Sequence, residues 1–328
     1  MNIGIIGAGW IATKLARTLK AMQGLDGMDG CVGYAIAARD LERAERFAAE
    51  WGFAKAYGSY EALVSDPDVD LVYIATPHSH HYPHTRLALE HGKACLVEKA
   101  FTANAREAEE LIRLAREKGV LLAEAVWTRY QPIRQMIQHV LDEGMIGTPV
   151  LVTASLCYPM PTKERILRPE LCGGALLDLG VYCINFVRMF FPGAWTTMHN
   201  HAVLSATGVD MNDSITAELE GGVVACLQAN ALCQGDNSAV IRGTKGRVEI
   251  DNVNNPQRVS VFGPDRELLA ELVAPPCATG YEYEVLACQE ALAHGWTEHP
   301  AMPLDETLEV MRLMDRFRKD CGVVYPMD

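Results

Sequence analysis

Small residues recur near the amino terminus at a spacing suited to binding a nucleotide. Gly7, Gly9 and Ala12 follow an apolar run of strand length and open a helical pattern that includes Trp10 and Ile11. The first glycine allows a tight turn, the second lets a pyrophosphate approach the backbone, and the third small residue lets helix and strand pack closely. Ordinary tight turns also contain such glycines. The flanking strand and helix patterns favour a dinucleotide-binding turn whose helix amino terminus faces the phosphates.

The residue that follows the second predicted strand bears on which nicotinamide nucleotide would fit. Cys31–Ala38 has the pattern of a strand, and Arg39 stands at its end. An NAD-preferring site places an acidic residue there for the ribose 2′-hydroxyl, whereas a 2′-phosphate calls for a cation. The planar guanidinium of Arg39 could pair with that phosphate and stack on adenine. The sequence favours NADP over NAD, and the alternative is that Arg39 is a surface charge beside Asp40.

Strand and helix patterns alternate through the first part of the chain. Apolar runs of strand length recur six times up to about residue 124, separated by helical patterns such as Asp40–Trp51 and Thr102–Lys118. This alternation is typical of a parallel sheet with helices on both faces. We therefore predict an α/β fold whose amino-terminal part, residues 1–124, is a Rossmann dinucleotide-binding domain.

A histidine-rich loop follows the predicted strand Leu71–Thr76. Ligands lie at the carboxyl ends of the strands in a doubly wound sheet, so this loop is predicted to border the cofactor. His80 and His84 are four residues apart, a spacing that could hold a metal on a helical turn. Because no cysteine or carboxylate stands nearby in the sequence, we predict no metal site.

The second half of the chain has a different pattern. Seven short strand-like runs lie between Val150 and Val273, joined by turns such as Glu220-Gly221-Gly222, and two helical patterns follow at Glu282–His294 and Asp305–Asp320. Hairpin-type links between successive strands indicate a largely antiparallel sheet. We predict that residues 125–328 form an α+β domain with an open, mostly antiparallel sheet that binds substrate and mediates dimerisation.

Composition and charge narrow the class of protein. The chain of 328 residues is 49% hydrophobic and 22% charged, as in an ordinary soluble globular protein, and its net charge of −13 argues against nucleic acid or an anionic membrane as a partner. No apolar run is expected to reach the length needed to span a bilayer, and Met1 leads directly into a predicted strand. The ten cysteines form no C-x-x-C pair, which is typical of reduced thiols. A cytoplasmic location is predicted.

Several motifs occur in the order found in a known superfamily. They are Gly7–Ala12, Ala75-Thr76-Pro77 with His81, Gly92-Lys93 leading into Val97-Glu98-Lys99, and Gly173–Tyr182. Together they resemble the glucose–fructose oxidoreductase / inositol dehydrogenase (Gfo/Idh/MocA) superfamily over nearly the whole chain. Glu124–Tyr130 and Leu177–Tyr182 are most similar to the branch that contains dimeric trans-dihydrodiol dehydrogenase and NADP-dependent D-xylose dehydrogenase. Ala100 replaces a usual proline, and Cys172 replaces a third glycine.

The resemblance implies an oxidoreductase that transfers a hydride between NADP and a small polyol, aldose or trans-dihydrodiol. It also implies a homodimer formed through one face of the open sheet. The implied cofactor-binding residues are Gly7, Gly9, Trp10, Ile11, Ala12, Arg39, Thr76, Pro77, His81, Glu98 and Lys99.

Oxidising a carbinol requires a base near the hydroxyl and a group that stabilises the alkoxide. Tyr182 and Lys99 are the candidates, since a nearby cation makes a tyrosine a better base by favouring the phenolate. Asp178 lies one turn before Tyr182 if the segment is helical, so both side chains would project toward one cleft. Its carboxylate could orient Lys99 or hold a substrate hydroxyl. The alternative for Tyr182 is a core tyrosine in an apolar helix.

Aromatic and basic residues near these motifs are candidates for contacting substrate. Trp127 could form an apolar wall and Arg129 could bond substrate oxygens, so with Asp178 and Tyr182 they make up the predicted substrate site. Packing is the alternative role for Trp127. Arg165 and Arg168 precede the glycine-rich turn and could reach the mouth of the cleft, although at least one of them is expected to be a solvated surface charge.

Two other classes of function stay open. One is another catalyst of the superfamily, either a glucose–fructose oxidoreductase type or an NAD-dependent glycosidase. The absence of a recognisable export signal disfavours the first, and Arg39 together with tyrosine at position 182 disfavours the second. The other class is a non-catalytic, nucleotide-sensing regulator, which the joint presence of Lys99, Asp178 and Tyr182 disfavours.

Overall fold

The computed structural model describes residues 1–25, 28 and 30–328, which form two compact units. The first unit comprises Met1–Trp127 and Cys277–Met311, and the second comprises Thr128–Pro276 and Arg312–Asp328. Neither unit is continuous in sequence, because residues 277–311 belong with the amino-terminal part. The functional division into 1–124 and 125–328 stays a prediction.

The first unit contains a six-stranded, fully parallel sheet with the strand order β3-β2-β1-β4-β5-β6. Its elements are β1 Asn2–Ile6, α1 Trp10–Met22, β2 Val32–Ala37, α2 Leu41–Trp51, β3 Lys55–Tyr57, α3 Tyr60–Val64, β4 Leu71–Ile74, α4 His81–Glu90, β5 Ala94–Glu98, α5 Ala105–Lys118 and β6 Leu122–Ala125. This order places β1 between β2 and β4, as in a doubly wound nucleotide-binding sheet. The predicted α/β fold class is confirmed.

Apolar runs become the central strands because both faces of this sheet are covered. Ile3, Ile5 and Ile6 of β1 are fully buried, as are Leu71 and Leu96 on neighbouring strands. Each such side chain stabilises the fold by about 1.5–3 kcal/mol relative to exposure. The burial on both faces explains why these strands are continuous apolar runs and do not alternate.

The second unit contains an eight-stranded sheet with the order β14-β13-β12-β11-β7-β10-β9-β8. Its elements are α6 Pro132–Asp142, β7 Pro149–Cys157, α7 Glu164–Leu167, α8 Val181–Phe190, β8 Trp195–Leu204, β9 Asp210–Leu219, β10 Val224–Asn230, β11 Ala239–Gly243, β12 Gly246–Ile250, β13 Arg258–Phe262 and β14 Leu268–Val273. Among the described strand pairs of this eight-stranded sheet, only β7–β10 is parallel. The mostly antiparallel sheet is therefore as predicted.

One face of this sheet packs against the buried helix α8, and the other face is open. Every residue of α8 is buried. The run Pro169–Phe190 is long and apolar enough to pass for a membrane span, which corrects the expectation that no segment has that length, but 89% of its most apolar window is buried inside the protein. Burial within a folded unit identifies it as a core helix. On the open face the side chains include Thr153, Thr216 and Gln228.

Two further helices complete the chain. They are α9, Glu282–His294, and α10, Leu304–Cys321. Val285, Cys288 and Ala291 of α9 are buried in the same apolar core as the strands of the first unit. Residues of α10 up to Met311 belong to the first unit, and those from Arg312 belong to the second.

Candidate active site

The glycine turn after β1 has the geometry that its sequence predicts. Gly7 has a φ of +100°, and a Cβ there would lie 2.8 Å from the Ala75 carbonyl oxygen, so only glycine fits. Its N–H donates to the Ala37 carbonyl at 2.9 Å. Gly9 is the N-cap of α1, and no side-chain hydrogen bond caps that helix. The N–H groups at the start of this 13-residue helix are therefore suited to an anionic ligand such as a pyrophosphate.

Two arginines lie near this turn, one of which sequence reasoning missed. Arg43 of α2 donates from Nε and Nη2 to the Ala8 carbonyl oxygen at 3.1 and 2.6 Å, and thereby fixes the turn from outside. Arg39, four residues earlier, is exposed. Arg43 lies in the first turn of α2, the helix that follows β2, and this position is the signal in the sequence that would have indicated it. Asp40 between them caps α2, since its Oδ1 accepts from the Glu42 N–H at 3.1 Å.

Histidines of the loop after β4 are bonded to their surroundings, and burial lowers the pKa of His80. The His84 Nδ1 lies 3.1 Å from the Thr76 hydroxyl, and the His80 Nδ1 lies 2.8 Å from the Ser79 hydroxyl. Burial, together with smaller effects of the charges of His80, His81 and Arg39, lowers the pKa of His84 to about 4. Among the described residues, no three histidine, cysteine or acidic side chains are grouped as metal ligands.

His81 connects the two loops that the sequence predicts to border the nucleotide. Its ring is fully buried, with Nε2 at 2.8 Å from the Thr76 carbonyl and Nδ1 at 2.8 Å from the Ala100 carbonyl. Burial lowers the pKa of His81 to about 4 although the carbonyl contacts act in the opposite direction. A neutral ring donates to only one of the two carbonyls. The structure thus places the His81 ring between Thr76 and Ala100, and the ring contacts both. The Lys99–Ala100 peptide is cis.

The Glu98-Lys99 pair stands at the end of β5, where Glu98 is buried and Lys99 is half-buried. Glu98 accepts a hydrogen bond from the Tyr73 hydroxyl, and its Oε2 accepts from the Lys99 N–H at 3.2 Å. Glu284 of α9, which sequence reasoning missed, is fully buried. Burial and the charges of Glu98 and Glu282 raise its pKa well above the ordinary value. The signal in the sequence that would have indicated Glu284 is the presence of an acidic residue on the apolar face of a helix.

Trp127 packs face to face with a second aromatic ring in the first unit. Its ring centroid lies 4.3 Å from that of Tyr281, with only 6° between the planes, and Trp127 is buried. The pair makes a flat apolar surface. Tyr281 lies 154 positions further along the chain, so no local pattern could have linked the two residues.

The second unit carries Asp178 and Tyr182 on one helical segment. Leu176–Gly180 forms a wide π turn that continues into α8, and both side chains are buried. Such π turns are frequent at functional sites. The Asp178 carboxylate accepts two hydrogen bonds from Arg165, at 2.8 Å from Nη1 to Oδ1 and at 3.0 Å from Nη2 to Oδ2. Arg168 instead pairs with Glu164 and Glu170 at the surface.

The glycine pair before this segment is required by close packing. Gly174 has a φ of +120°, and a Cβ there would lie 2.3 Å from a carboxylate oxygen of Asp210. The other oxygen of Asp210 accepts from the Leu176 N–H at 2.6 Å, which fixes the start of the segment. Cys172 adopts a left-handed φ of 53°, a conformation that glycine adopts with less strain.

Arg129 is held on the same helix. It is buried, and its Nε donates to Asn185 Oδ1 at 2.6 Å, three residues after Tyr182. Asn185 in turn donates to the Val181 carbonyl at 2.9 Å. The structure therefore fixes the Arg129 guanidinium against α8, and its predicted contact with substrate oxygens stays a prediction.

Comparison with known proteins shows which family of proteins the chain belongs to. Residues 1–126 match the model of an oxidoreductase family with an NAD-binding Rossmann fold, and residues 134–249 match the GFO/IDH/MocA C-terminal domain. The chain belongs to the GFO/IDH/MocA oxidoreductase family, as its motifs predicted. With its dehydrogenase relatives, this makes it an NAD(P)-dependent dehydrogenase.

Individual relatives are similar over the whole chain. The trans-1,2-dihydrobenzene-1,2-diol dehydrogenase of Mus musculus is 35% identical over 337 residues, covering 99% of this chain and 98% of that protein. The enzyme of the same name from Homo sapiens is 33% identical over 333 residues, with the same coverage. The structure of KijD10, a 3-ketoreductase from Actinomadura kijaniata in complex with NADP and TDP-benzene, is 29% identical, with a TM-score of 0.86 over 98% of both chains.

Proposed function

We propose that this protein is an NADP-dependent dehydrogenase that transfers a hydride between the nicotinamide and a small polyol, aldose or trans-dihydrodiol. The observation that carries the proposal is the similarity of 33–35% to dihydrodiol dehydrogenases over nearly the entire chain. Lys99, Asp178 and Tyr182, the residues that could perform proton transfer, are all present.

The described residues suit a dinucleotide. Gly7 adopts a turn that no other residue could adopt, and the helix after Gly9 begins without a side-chain cap. A nicotinamide nucleotide supplies a hydride acceptor or donor when bound. The chain's own part is to hold the phosphates at the start of α1 and to place Thr76, Pro77 and Lys99 at the ends of β4 and β5.

The preference for NADP is supported by the charges after β2. Arg39 and Arg43 stand where a 2′-phosphate calls for cations. Asp40, the nearest carboxylate in sequence, is engaged in capping α2 and is oriented toward the Glu42 N–H. KijD10, a relative of similar architecture, binds NADP.

In the proposed reaction Tyr182 takes the proton from the substrate hydroxyl during oxidation and returns it during reduction. Lys99 supplies the positive charge that favours the phenolate. Asp178 accepts a hydrogen bond from a substrate hydroxyl and orients it. The stacked rings of Trp127 and Tyr281 supply an apolar surface against which a carbocyclic or sugar ring packs.

A second candidate reaction is the reduction of a keto sugar with NADPH. The similarity to KijD10, a 3-ketoreductase, favours it. The same residues serve in this direction, with Tyr182 donating a proton to the forming alkoxide.

The test is a substrate panel of trans-dihydrodiols, aldoses, polyols and keto sugars, each with NADP+ or NADPH, followed through the absorbance of the reduced nicotinamide. We expect turnover with at least one class. Tyr182→Phe should then lower kcat by orders of magnitude while the affinity for NADP+ stays close to that of the parent, since the phenol acts in the transition state. Parental kcat in Tyr182→Phe would remove this tyrosine from the mechanism.

A further inference from the structure

The Arg165 guanidinium contacts the Asp178 carboxylate directly. Two guanidinium nitrogens meet the two carboxylate oxygens at 2.8 and 3.0 Å, so the contact is bidentate. The Asp178 side chain is only 7% exposed, whereas that of Arg165 is 44% exposed. A buried carboxylate is thus paired with a cation that solvent can reach.

The segment that carries Arg165 is anchored at several points. Ile166 beside it is fully buried, and the Leu167 carbonyl accepts from the Thr207 hydroxyl at 2.6 Å. A Cβ on Gly173 would lie 2.3 Å from the Ile166 carbonyl oxygen, so the glycine allows α7 to approach. Arg165 Nη2 also lies 3.7 Å from the Met160 sulfur. The guanidinium is therefore held by a fixed backbone and by packing as well as by its charge.

We propose that Arg165 is a positioning residue, which fixes the orientation of the Asp178 carboxylate for the reaction described above. The inference rests on the proposed function. A planar fork that bonds both oxygens restricts rotation of the carboxylate, which a single contact would leave free. It also compensates the burial of the negative charge, which would otherwise be strongly unfavourable. Asp178 lies four residues before Tyr182, so its orientation decides where a substrate hydroxyl meets the phenol.

Arg168 provides a matched control in the same short segment. It is similarly exposed, at 49% of its side chain, and it also forms ion pairs, but its partners Glu164 and Glu170 are surface residues. A general effect of losing a cation near α7 would affect both arginines equally. An effect through Asp178 would appear only at Arg165.

The experiment compares Arg165→Ala, Arg165→Lys and Arg168→Ala with the parent on a substrate from the panel. We expect Arg165→Ala to lower kcat/KM by about ten- to a hundredfold, the range for a lost charge-assisted bidentate contact. Arg165→Lys should recover little of the lost kcat/KM, because an ammonium cannot bond both carboxylate oxygens in the same geometry. Arg168→Ala should stay within about twofold of the parent, as expected for an exposed pair.

Chemical rescue separates positioning from a purely structural role. Because Arg165 is partly exposed, its removal leaves a gap that a free guanidinium ion can enter. Millimolar guanidinium should restore part of the activity of Arg165→Ala and leave Arg168→Ala unchanged. Parental kcat/KM in Arg165→Ala would overturn the proposal, as would a loss of activity that guanidinium does not relieve.

Crystal structures of the parent and of Arg165→Ala provide a readout that does not depend on turnover. We expect the Asp178 carboxylate to rotate in the variant while the backbone of α8 stays in place. An unmoved carboxylate would overturn the positioning role. If the parent turns over no substrate of the panel, the proposed function fails, and these structures still decide whether Arg165 orients Asp178.

Discussion

Arg39 and Arg43 lie on either side of Asp40 and differ in their contacts. Arg43 uses two donors on the Ala8 carbonyl and so stabilises the glycine turn. Arg39 is exposed beside His80 and Tyr60, and its charge helps to lower the pKa of His80, after the larger effect of burial. A cation in that position is suited to a phosphate on the adenosine ribose.

Replacing Arg39 with alanine should therefore reduce the preference for NADP+. We expect its affinity for NADP+ to fall by about ten- to a hundredfold, as for one charge-assisted contact, with little change for NAD+. Titration calorimetry measures both affinities, and Arg46→Ala, on the exposed side of α2, is the control. Equal affinities of the parent for the two nucleotides would contradict the NADP assignment.

Glu284 is a second residue whose burial has a measurable consequence. It is fully buried, and neither of its carboxyl oxygens has a hydrogen-bond partner among the described residues. Burial raises its pKa well above the ordinary value, with Glu98 and Glu282 adding to the effect. Below the ordinary pKa both the folded and the unfolded protein are protonated, so there is no penalty. As the pH rises, the unfolded state ionises first and the folded state loses stability relative to it.

Glu284→Gln should remove this pH dependence. The variant should have a higher free energy of unfolding than the parent at pH 8, and the difference should shrink toward zero near pH 4. The slope is at most about 1.4 kcal/mol per pH unit for one proton. Urea unfolding across that pH range measures it, with Glu290→Gln on the exposed side of α9 as control. A variant no more stable than the parent at pH 8 would contradict a raised pKa of Glu284 in the folded protein.

At the scale of elements, periodicity predicted most of the first unit. The helical pattern Thr102–Lys118 corresponds to α5, which begins later, at Ala105, because the Asn104 side chain accepts from the Glu107 N–H and caps it. The predicted strands correspond to β1, β2, β4, β5 and β6, because burial on both faces leaves apolar runs. The short strand β3 has only three half-buried residues and no such run, so its position was not predicted.

Two other elements were missed for different reasons. Helix α6 has buried residues at helical spacing, Ile133, Ile137 and Val140, and could have been predicted, whereas β8 carries a weak local signal. Trp195–Leu204 is β8, an edge strand whose side chains are mostly exposed, so no apolar alternation marks it.

In the candidate site, the motifs indicated Asp178 and Tyr182. The contact between Arg165 and Asp178 depends on how tertiary packing positions α7. The stack of Trp127 on Tyr281 depends on tertiary packing across 154 positions, which no local pattern encodes.

The turn before the π segment gives a prediction at this scale. Gly174→Ala combines a left-handed φ of +120° with a collision against Asp210, whereas Gly208→Ala has a φ of +87° and open space around it. We expect the first change to destabilise the fold by about 2–5 kcal/mol and the second by about 1–2 kcal/mol. Denaturant unfolding compares them. Equal destabilisation would mean that Asp210 moves aside at no cost in free energy and that backbone strain alone lowers the stability.

At the scale of the whole molecule, the open face of the eight-stranded sheet bears on assembly. The side chains on this face are mostly polar, and they line a groove of about 390 Å³ that includes Ser155, Ser214, Thr216 and Gln228. Seven inter-strand spacings make this face about 34 Å wide. A polar face of this size does not require a partner for solubility, so exposed apolar area gives no reason to expect a dimer. What supports a dimer is the family resemblance and the breadth of the uncovered face.

We therefore predict a homodimer that pairs these open faces through hydrogen bonds and bridging water rather than through an apolar core. Light scattering at micromolar concentration should give twice the chain mass of 36.0 kDa. Thr216→Arg, within the groove on β9, should shift the protein toward monomer because it buries an unpaired charge. Ala49→Arg, which adds the same charge on the exposed side of α2, should leave the mass unchanged. A parent that scatters as a 36.0 kDa particle, or a Thr216→Arg protein that stays dimeric, would place the contact elsewhere or remove it.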